Sequence, residues 1–314
     1  MMKQALKQVL RPLYRAIVQT PLMREIIRRE AMAPWDALIT QDFVHGEEGK
    51  AYGVTVSDKA RLVECFQRNT REIKSGTNAL VHTILAREIL AIPPSVKGDV
   101  IECGVWKGAS SASLSLVCSI VGRRLLVCDS FEGLPDDGGK LHVAPHFGVY
   151  GYYKRGMFCG SLDEVRENIR KFGDLQVCDF IPGFFSESLE LLSQSIAFAF
   201  LDVDLVSSMR DCLRYIWPLL VEGGAVYTDD AGDMDVVRVF FDGAWWQQEL
   251  HCSAPGYIGS GCGLPLNPKY SPLGYTRNIT SFSTEMWERA AYLHYPDEQK
   301  EEQPTRYDSP AGQQ

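Results

Sequence analysis

Apolar positions along this chain change their spacing partway. Leu6, Leu10, Leu13 and Ile17 recur at helical intervals, and helical periodicity returns through 57-SDKARLVECFQRNTREI-73 and 79-ALVHTILAREILAI-92. After Pro93-Pro94, short apolar runs take over at 99–103, 124–129, 175–181, 196–202 and 224–230. Helix-like stretches separate them at 109–117, 161–172, 207–217 and 233–248. Near-continuous apolar strands alternating with helices predict a mostly parallel, doubly wound α/β sheet covered on both faces. Segment 276–284 is expected to add edge strands, and the polar, proline-bearing 296–314 to be disordered. The expected organisation is an N-terminal helical extension over 1–74, a main domain over 75–295 and a tail over 296–314.

Charge narrows the classes of partner. The net charge of −8 argues against a nucleic-acid binder, which asks for a basic face. Residues 1–30 run against that trend, with seven Lys or Arg and two Glu, so the first helix is amphipathic and basic. Packing on the domain or on a second subunit is favoured over attachment to a membrane surface or acidic partner, and a homo-oligomer formed through these helices is expected. Nine cysteines, an odd count without a CxxC pair, read as reduced core residues of a cytoplasmic protein. No run approaches the roughly 18 apolar residues of a membrane span.

The first strand-like run leads into 102-ECGVWKGASSAS-113. In open parallel sheets, ligands bind beyond the carboxyl ends of the strands, where glycines allow close approach. The spacing is E-x-G-x-x-x-G (Glu102, Gly104, Gly108), not the G-x-G-x-x-G of a dinucleotide pyrophosphate site, which disfavours a nicotinamide dehydrogenase. An acid at Glu102 repels a pyrophosphate but can receive an ammonium group, which points toward S-adenosylmethionine. The second run ends at Asp129, placed to accept both hydroxyls of a ribose. Strand end and glycine turn together favour that role over a helix N-cap.

Two further runs, 196-IAFAFLDVD-204 and 224-GAVYTDD-230, also end in acids. They would set Asp202, Asp204, Asp229 and Asp230 on one edge of the sheet. Converging carboxylates repel one another unless a hard divalent cation such as Mg²⁺ lies between them. The alternative reading makes Asp204 or Asp230 a helix cap, or a partner of Arg210 or Arg214. His142 and His146 lie in a loop rich in glycine and tyrosine, as bases or as exposed residues; that loop suits an adaptable wall over an acceptor.

In order, 99-DVIECGVWKGAS-110, 129-DSFEGLPD-136, 161-SLDEVRENI-169, 183-GFFSESL-189, 202-DVDLVSS-208 and 223-GGAVYTDD-230 resemble the macrocin O-methyltransferase (TylF/MycF) family over roughly residues 75–250. The resemblance implies a class I methyltransferase, Rossmann-like fold and S-adenosylmethionine- and Mg²⁺-dependent methylation of sugar hydroxyls on natural products. It implies Asp202, Asp229 and Asp230 as metal ligands, with Asp202 also the general base. Cofactor contacts then fall on Gly76, Thr77, Glu102, Gly104, Asp129, Ser130, Ser161, Gly183 and Phe184. Val206 and Ala231 stand where the family usually carries aromatics, a difference expected to alter the acceptor pocket. A catechol or small-phenol methyltransferase and a non-catalytic S-adenosylmethionine-binding protein are the other readings.

Overall fold

The computed structural model describes residues 37–136, 143–144, 149–150, 153–258 and 273–279. The basic segment 1–30, His142, His146 and the tail 296–314 lie outside them. Residues from Ile279 onward form a separate unit, of which only Ile279 is described.

Six strands make one sheet: β1 (Asp99–Cys103), β2 (Leu125–Asp129), β3 (Cys178–Pro182), β4 (Ile196–Leu201), β5 (Leu220–Thr228) and β6 (Gly274–Arg277). Their spatial order is β3-β2-β1-β4-β5-β6, all parallel except the edge strand β6. Strand order therefore reverses between β1 and β4. This is the expected doubly wound sheet. Every residue of β2 and β4 is buried because both faces are covered, so those runs read as continuously apolar.

Alternate residues feed two cores. Val100, Leu125, Val127, Phe198 and Phe200 face one layer, with α1 (Val56–Glu72), α2 (Ala79–Ala91), α3 (Ala109–Val121) and α4 (Leu162–Phe172). Ile101, Leu126, Ala199, Leu201 and Val226 face the other, where α6 (Val206–Ile216), α7 (Met234–Val239) and α8 (Gly243–Leu250) pack. Between α4 and α6, α5 (Phe185–Ser188) is a single turn. In α1, Thr55 and Asp58 form a reciprocal capping box, while Leu62, Val63 and Phe66 turn inward.

Two local expectations change. The stretch 233–248 forms two helices, because Asp242 accepts from Trp245 N and starts α8 afresh. Residues 175–177 form a 3₁₀ turn held by Asp174, so β3 begins only at Cys178. Among the described residues, no helix is long and apolar enough to cross a membrane.

Candidate active site

The carboxyl ends of the five parallel strands open on one cavity of about 940 Å³. Into it β1 delivers Gly104, Val105 and Trp106, β2 delivers Asp129 and Ser130, and the turn after β3 delivers Phe184–Glu187. Asp202, Val203 and Asp204 follow β4, while Asp229, Asp230 and Asp233 follow β5. Gly76 and Thr77, ahead of α2, close one side. A volume at the upper end of single-ligand pockets suits two ligands held side by side.

On the β1–β2 side the backbone is fixed tightly. Gly104 has φ 82°, its N–H donates to the Cys128 carbonyl at 3.0 Å, and any Cβ there would overlap the Asp202 carbonyl oxygen. Asp129 caps no helix. Its Oδ2 accepts from Val105 N at 2.8 Å and its Oδ1 from Phe131 N at 2.7 Å, tying both strand ends together. Burial raises its pKa, and those N–H groups oppose the rise.

Glu102 is fully buried beneath the turn and is not on the cavity wall. Burial pushes its pKa up to about 7, against the nearby Ser110 and Ser111 hydroxyls, yet neither carboxyl oxygen has a hydrogen bond of good geometry. Ser161 is the N-cap of α4, accepting from Glu164 N at 3.2 Å, and stands outside the lining. Gly183 also lies outside it: at φ 128° it donates to the Asp129 carbonyl and turns the chain so that Phe184 lines the cavity.

The paired acids meet. Leu201 of β4 is in register with Thr228 of β5, so the next residues, Asp202 and Asp229, emerge side by side. The 202–204 loop is held by Asp230, whose Oδ2 accepts from Val203 N at 3.3 Å, Asp204 N at 3.2 Å and Thr228 Oγ1 at 3.3 Å. Asp204 adopts φ 59°, a left-handed conformation that Asp tolerates, and Val203 between the two acids is buried. One oxygen each of Asp202, Asp204 and Asp230 lies within 4.8 Å of the others. Asp229 adds a buried Oδ1 without a hydrogen-bond partner among the described residues.

Burial first, and the neighbouring carboxylates second, hold Asp202 and Asp230 well above the usual carboxylate range and raise Asp229 to about 7. Arg210 pairs instead with Asp242, and Arg214 with Asp211 and Glu249. Leu205, not an acid, is the N-cap of α6. The donor set is all oxygen, and the described cavity lining contains no histidine or cysteine. That set fits a hard divalent cation.

Sequence reasoning expected a wall from the tyrosine-rich loop but singled out none of three residues that line the cavity. Trp106 (φ 44°), Phe158 and Tyr153 form an aromatic row, with ring centroids 5.5 Å and 6.4 Å apart along it. Tyr153 hydrogen-bonds to Asp204, and burial together with Asp204 and Asp230 holds its phenol protonated. Trp106 lies inside the glycine turn and Tyr153 inside the tyrosine-rich loop, so only their convergence was hidden.

The profile of the macrocin O-methyltransferase (TylF) family matches residues 81–252 of this sequence. The chain belongs to that family. As in its sequence pattern, the TylF-family chain carries the glycine turn and the strand-end acids in one Rossmann-like sheet. It is 36% identical over 156 residues to the 8-demethyl-8-(2,3-dimethoxy-alpha-L-rhamnosyl)-tetracenomycin-C 4'-O-methyltransferase of Streptomyces olivaceus, covering 48% of this chain and 56% of that protein. It is 32% identical over 147 residues to the demethyldecarbamoylnovobiocin O-methyltransferase of Streptomyces niveus, covering 43% and 53%. The chain thus spans just over half the length of these two relatives. Among solved structures it is similar to the O-methyltransferase NovP, at 22% identity and TM-score 0.47, covering 72% of this chain and 82% of that one.

Proposed function

We propose that the chain transfers the methyl group of S-adenosylmethionine to a hydroxyl of a glycoside, with Mg²⁺ held by Asp202, Asp229 and Asp230. The observation that carries this reading is the convergence of those acids at adjacent parallel strand ends, beside a cavity that Asp129 and the Gly104 turn also line. The carboxyl oxygens that lie within 4.8 Å of one another are those of Asp202, Asp204 and Asp230, so Asp204 stands as a fourth candidate ligand, with Asp229 beside Asp202 at the adjacent strand end. The names of the TylF-family relatives, which include a rhamnosyl 4'-O-methyltransferase, support a sugar acceptor.

The bound cofactor supplies an electrophilic methyl, and the bound cation lowers the pKa of a coordinated hydroxyl. The protein's own groups do the rest. Asp129 would accept hydrogen bonds from the ribose hydroxyls, Gly76, Thr77, Gly104 and Ser130 would hold the cofactor's amino-acid end and sugar, and Phe184 would pack on its base; all of them line the cavity. Asp202 takes the proton of the acceptor hydroxyl directly or through water. The row of Tyr153, Phe158 and Trp106 lines the cavity and would exclude water from the acceptor and help to position it. Through its bond to Asp204, Tyr153 also orients that carboxylate.

Methyl transfer to a panel of glycosides and catechols, followed by mass spectrometry with Mg²⁺ or with EDTA, tests the proposal. Transfer to glycosides that EDTA removes is expected. Transfer confined to catechols would reassign the acceptor, and transfer unaffected by EDTA would remove the metal from the mechanism.

A further inference from the structure

Behind the cavity wall at Thr77 lies a histidine that no step above uses. His82, near the start of α2, is fully buried, with its ring edge-on to Phe66 at 6.2 Å and 82°. Its Nε2 is 2.8 Å from Thr77 Oγ1, which is itself 3.1 Å from Ser75 Oγ. Thr77 and Ser75 both line the cavity. The other ring nitrogen, Nδ1, is buried without a hydrogen-bond partner among the described residues.

Those contacts decide where the imidazole proton sits. Burial brings the His82 pKa down to about 3, so the ring is neutral and carries one proton. Placed on Nδ1, that proton would be a buried N–H donor with nothing to receive it, the rarer kind of orphan in folded proteins. Placed on Nε2, it is donated to Thr77 Oγ1, and Nδ1 keeps only an unused lone pair. The Nε2–H form is therefore the one this site selects. A hydroxyl that accepts from His82 directs its own proton elsewhere. In the Thr77 environment that means Ser75 Oγ or a ligand in the cavity.

We propose that His82 is a positioning residue that makes the Thr77 hydroxyl a donor facing the cavity, aimed at the carboxylate on the amino-acid end of the cofactor. The proposal rests on the S-adenosylmethionine reading of the cavity. It assigns a purpose to burying a polar ring that gains only one hydrogen bond: the ring fixes the polarity of a chain running from His82 through Thr77 to the ligand. A serine or threonine without such a partner donates or accepts with equal ease and must be ordered by the ligand itself.

The test uses the full chain, wild type and variants, with calorimetric titration of two probes. S-adenosylhomocysteine carries the amino-acid end, and 5′-methylthioadenosine lacks it. His82→Leu and Thr77→Val are each expected to weaken S-adenosylhomocysteine about tenfold, the size of one lost hydrogen bond to a charged group. The double variant should lose little more than either single one, because the two residues act as one unit. His82→Gln places an amide donor near the Nε2 position and should restore affinity to within about threefold. 5′-Methylthioadenosine should bind all variants within about twofold of wild type, which also shows that they are folded. Long-range ¹⁵N–¹H spectra of the wild type should show a single Nε2–H tautomer from pH 5 to 8.

An Nδ1–H tautomer would overturn the proposal. So would unchanged S-adenosylhomocysteine affinity in His82→Leu, or equal losses for both probes. If wild-type protein binds neither probe, the cofactor reading fails first, and the tautomer spectrum still reports where the His82 proton lies.

Discussion

Asp202→Asn is expected to lower methyl transfer at least about a thousandfold while raising the thermal stability of the metal-free protein. The two effects share one cause. Asp202 stands among Asp204, Asp229 and Asp230, with carboxyl oxygens of three of the four within 4.8 Å of one another. At an effective dielectric near 20, each close pair of charges opposes folding by a few kcal/mol before partial protonation relieves it. An amide of the same shape removes one member of that set, and a net gain of about 1–2 kcal/mol follows, or roughly 2–8 °C in Tm for a domain of this size. Under the proposed function, the same exchange takes away a charged ligand and the proton acceptor, each worth orders of magnitude in rate. Affinity for S-adenosylhomocysteine should stay within about threefold of wild type, because Asp129 and the Gly104 turn are untouched. A thermal melt in EDTA and a transfer assay in Mg²⁺ measure both halves. A variant that is less stable in EDTA would show that Asp202 is a structural residue and not a strained functional one.

The second large effect belongs to Gly104. Its φ of 82° costs an L residue roughly 1–2 kcal/mol, and a methyl group there would also overlap the Asp202 carbonyl oxygen. Relief requires the turn after β1 to move away from the end of β4, against the hydrogen bonds from Gly104 N to Cys128 O and from Asp202 N to Cys103 O. Gly104→Ala is therefore expected to destabilise the fold by about 3–5 kcal/mol and to abolish transfer, since it displaces the loop that bears Asp202. Denaturant unfolding followed by fluorescence reads the loss. A change below about 1 kcal/mol would mean that the turn is far more pliable than its packing implies.

How much of this could be read from the chain depended on the range of the information. The strand runs were legible because burial on both faces makes them continuously apolar, and their terminal acids then marked the cavity edge without any knowledge of the loops. The adjacency of Asp202 and Asp229 needed only the pairing of β4 with β5. Asp129 was legible as a site residue, but not its second duty of tying Val105 to Phe131, which depends on a backbone N–H 24 residues before it. Glu102 reads as a strand-end acid able to receive an ammonium group, yet it is fully buried in the sheet and stands off the cavity wall. The tyrosine-rich loop was legible as a wall, but its meeting with Trp106 was hidden because it joins a turn after β1 to a connection some fifty residues away. Nothing in the local pattern around His82 distinguishes it from any other polar residue on a helix; only its burial against Thr77 does.

Calorimetric titration of S-adenosylhomocysteine into the protein, with Mg²⁺ and with EDTA, tests the central claim most directly. One site per chain, with a Kd below about 100 μM in both conditions, is the predicted result, because Asp129 and the Gly104 turn, the proposed cofactor contacts, are not among the acids proposed to hold the cation. No detectable binding in either condition would contradict it, since the Gly104 turn and Asp129 would then serve some ligand other than S-adenosylmethionine.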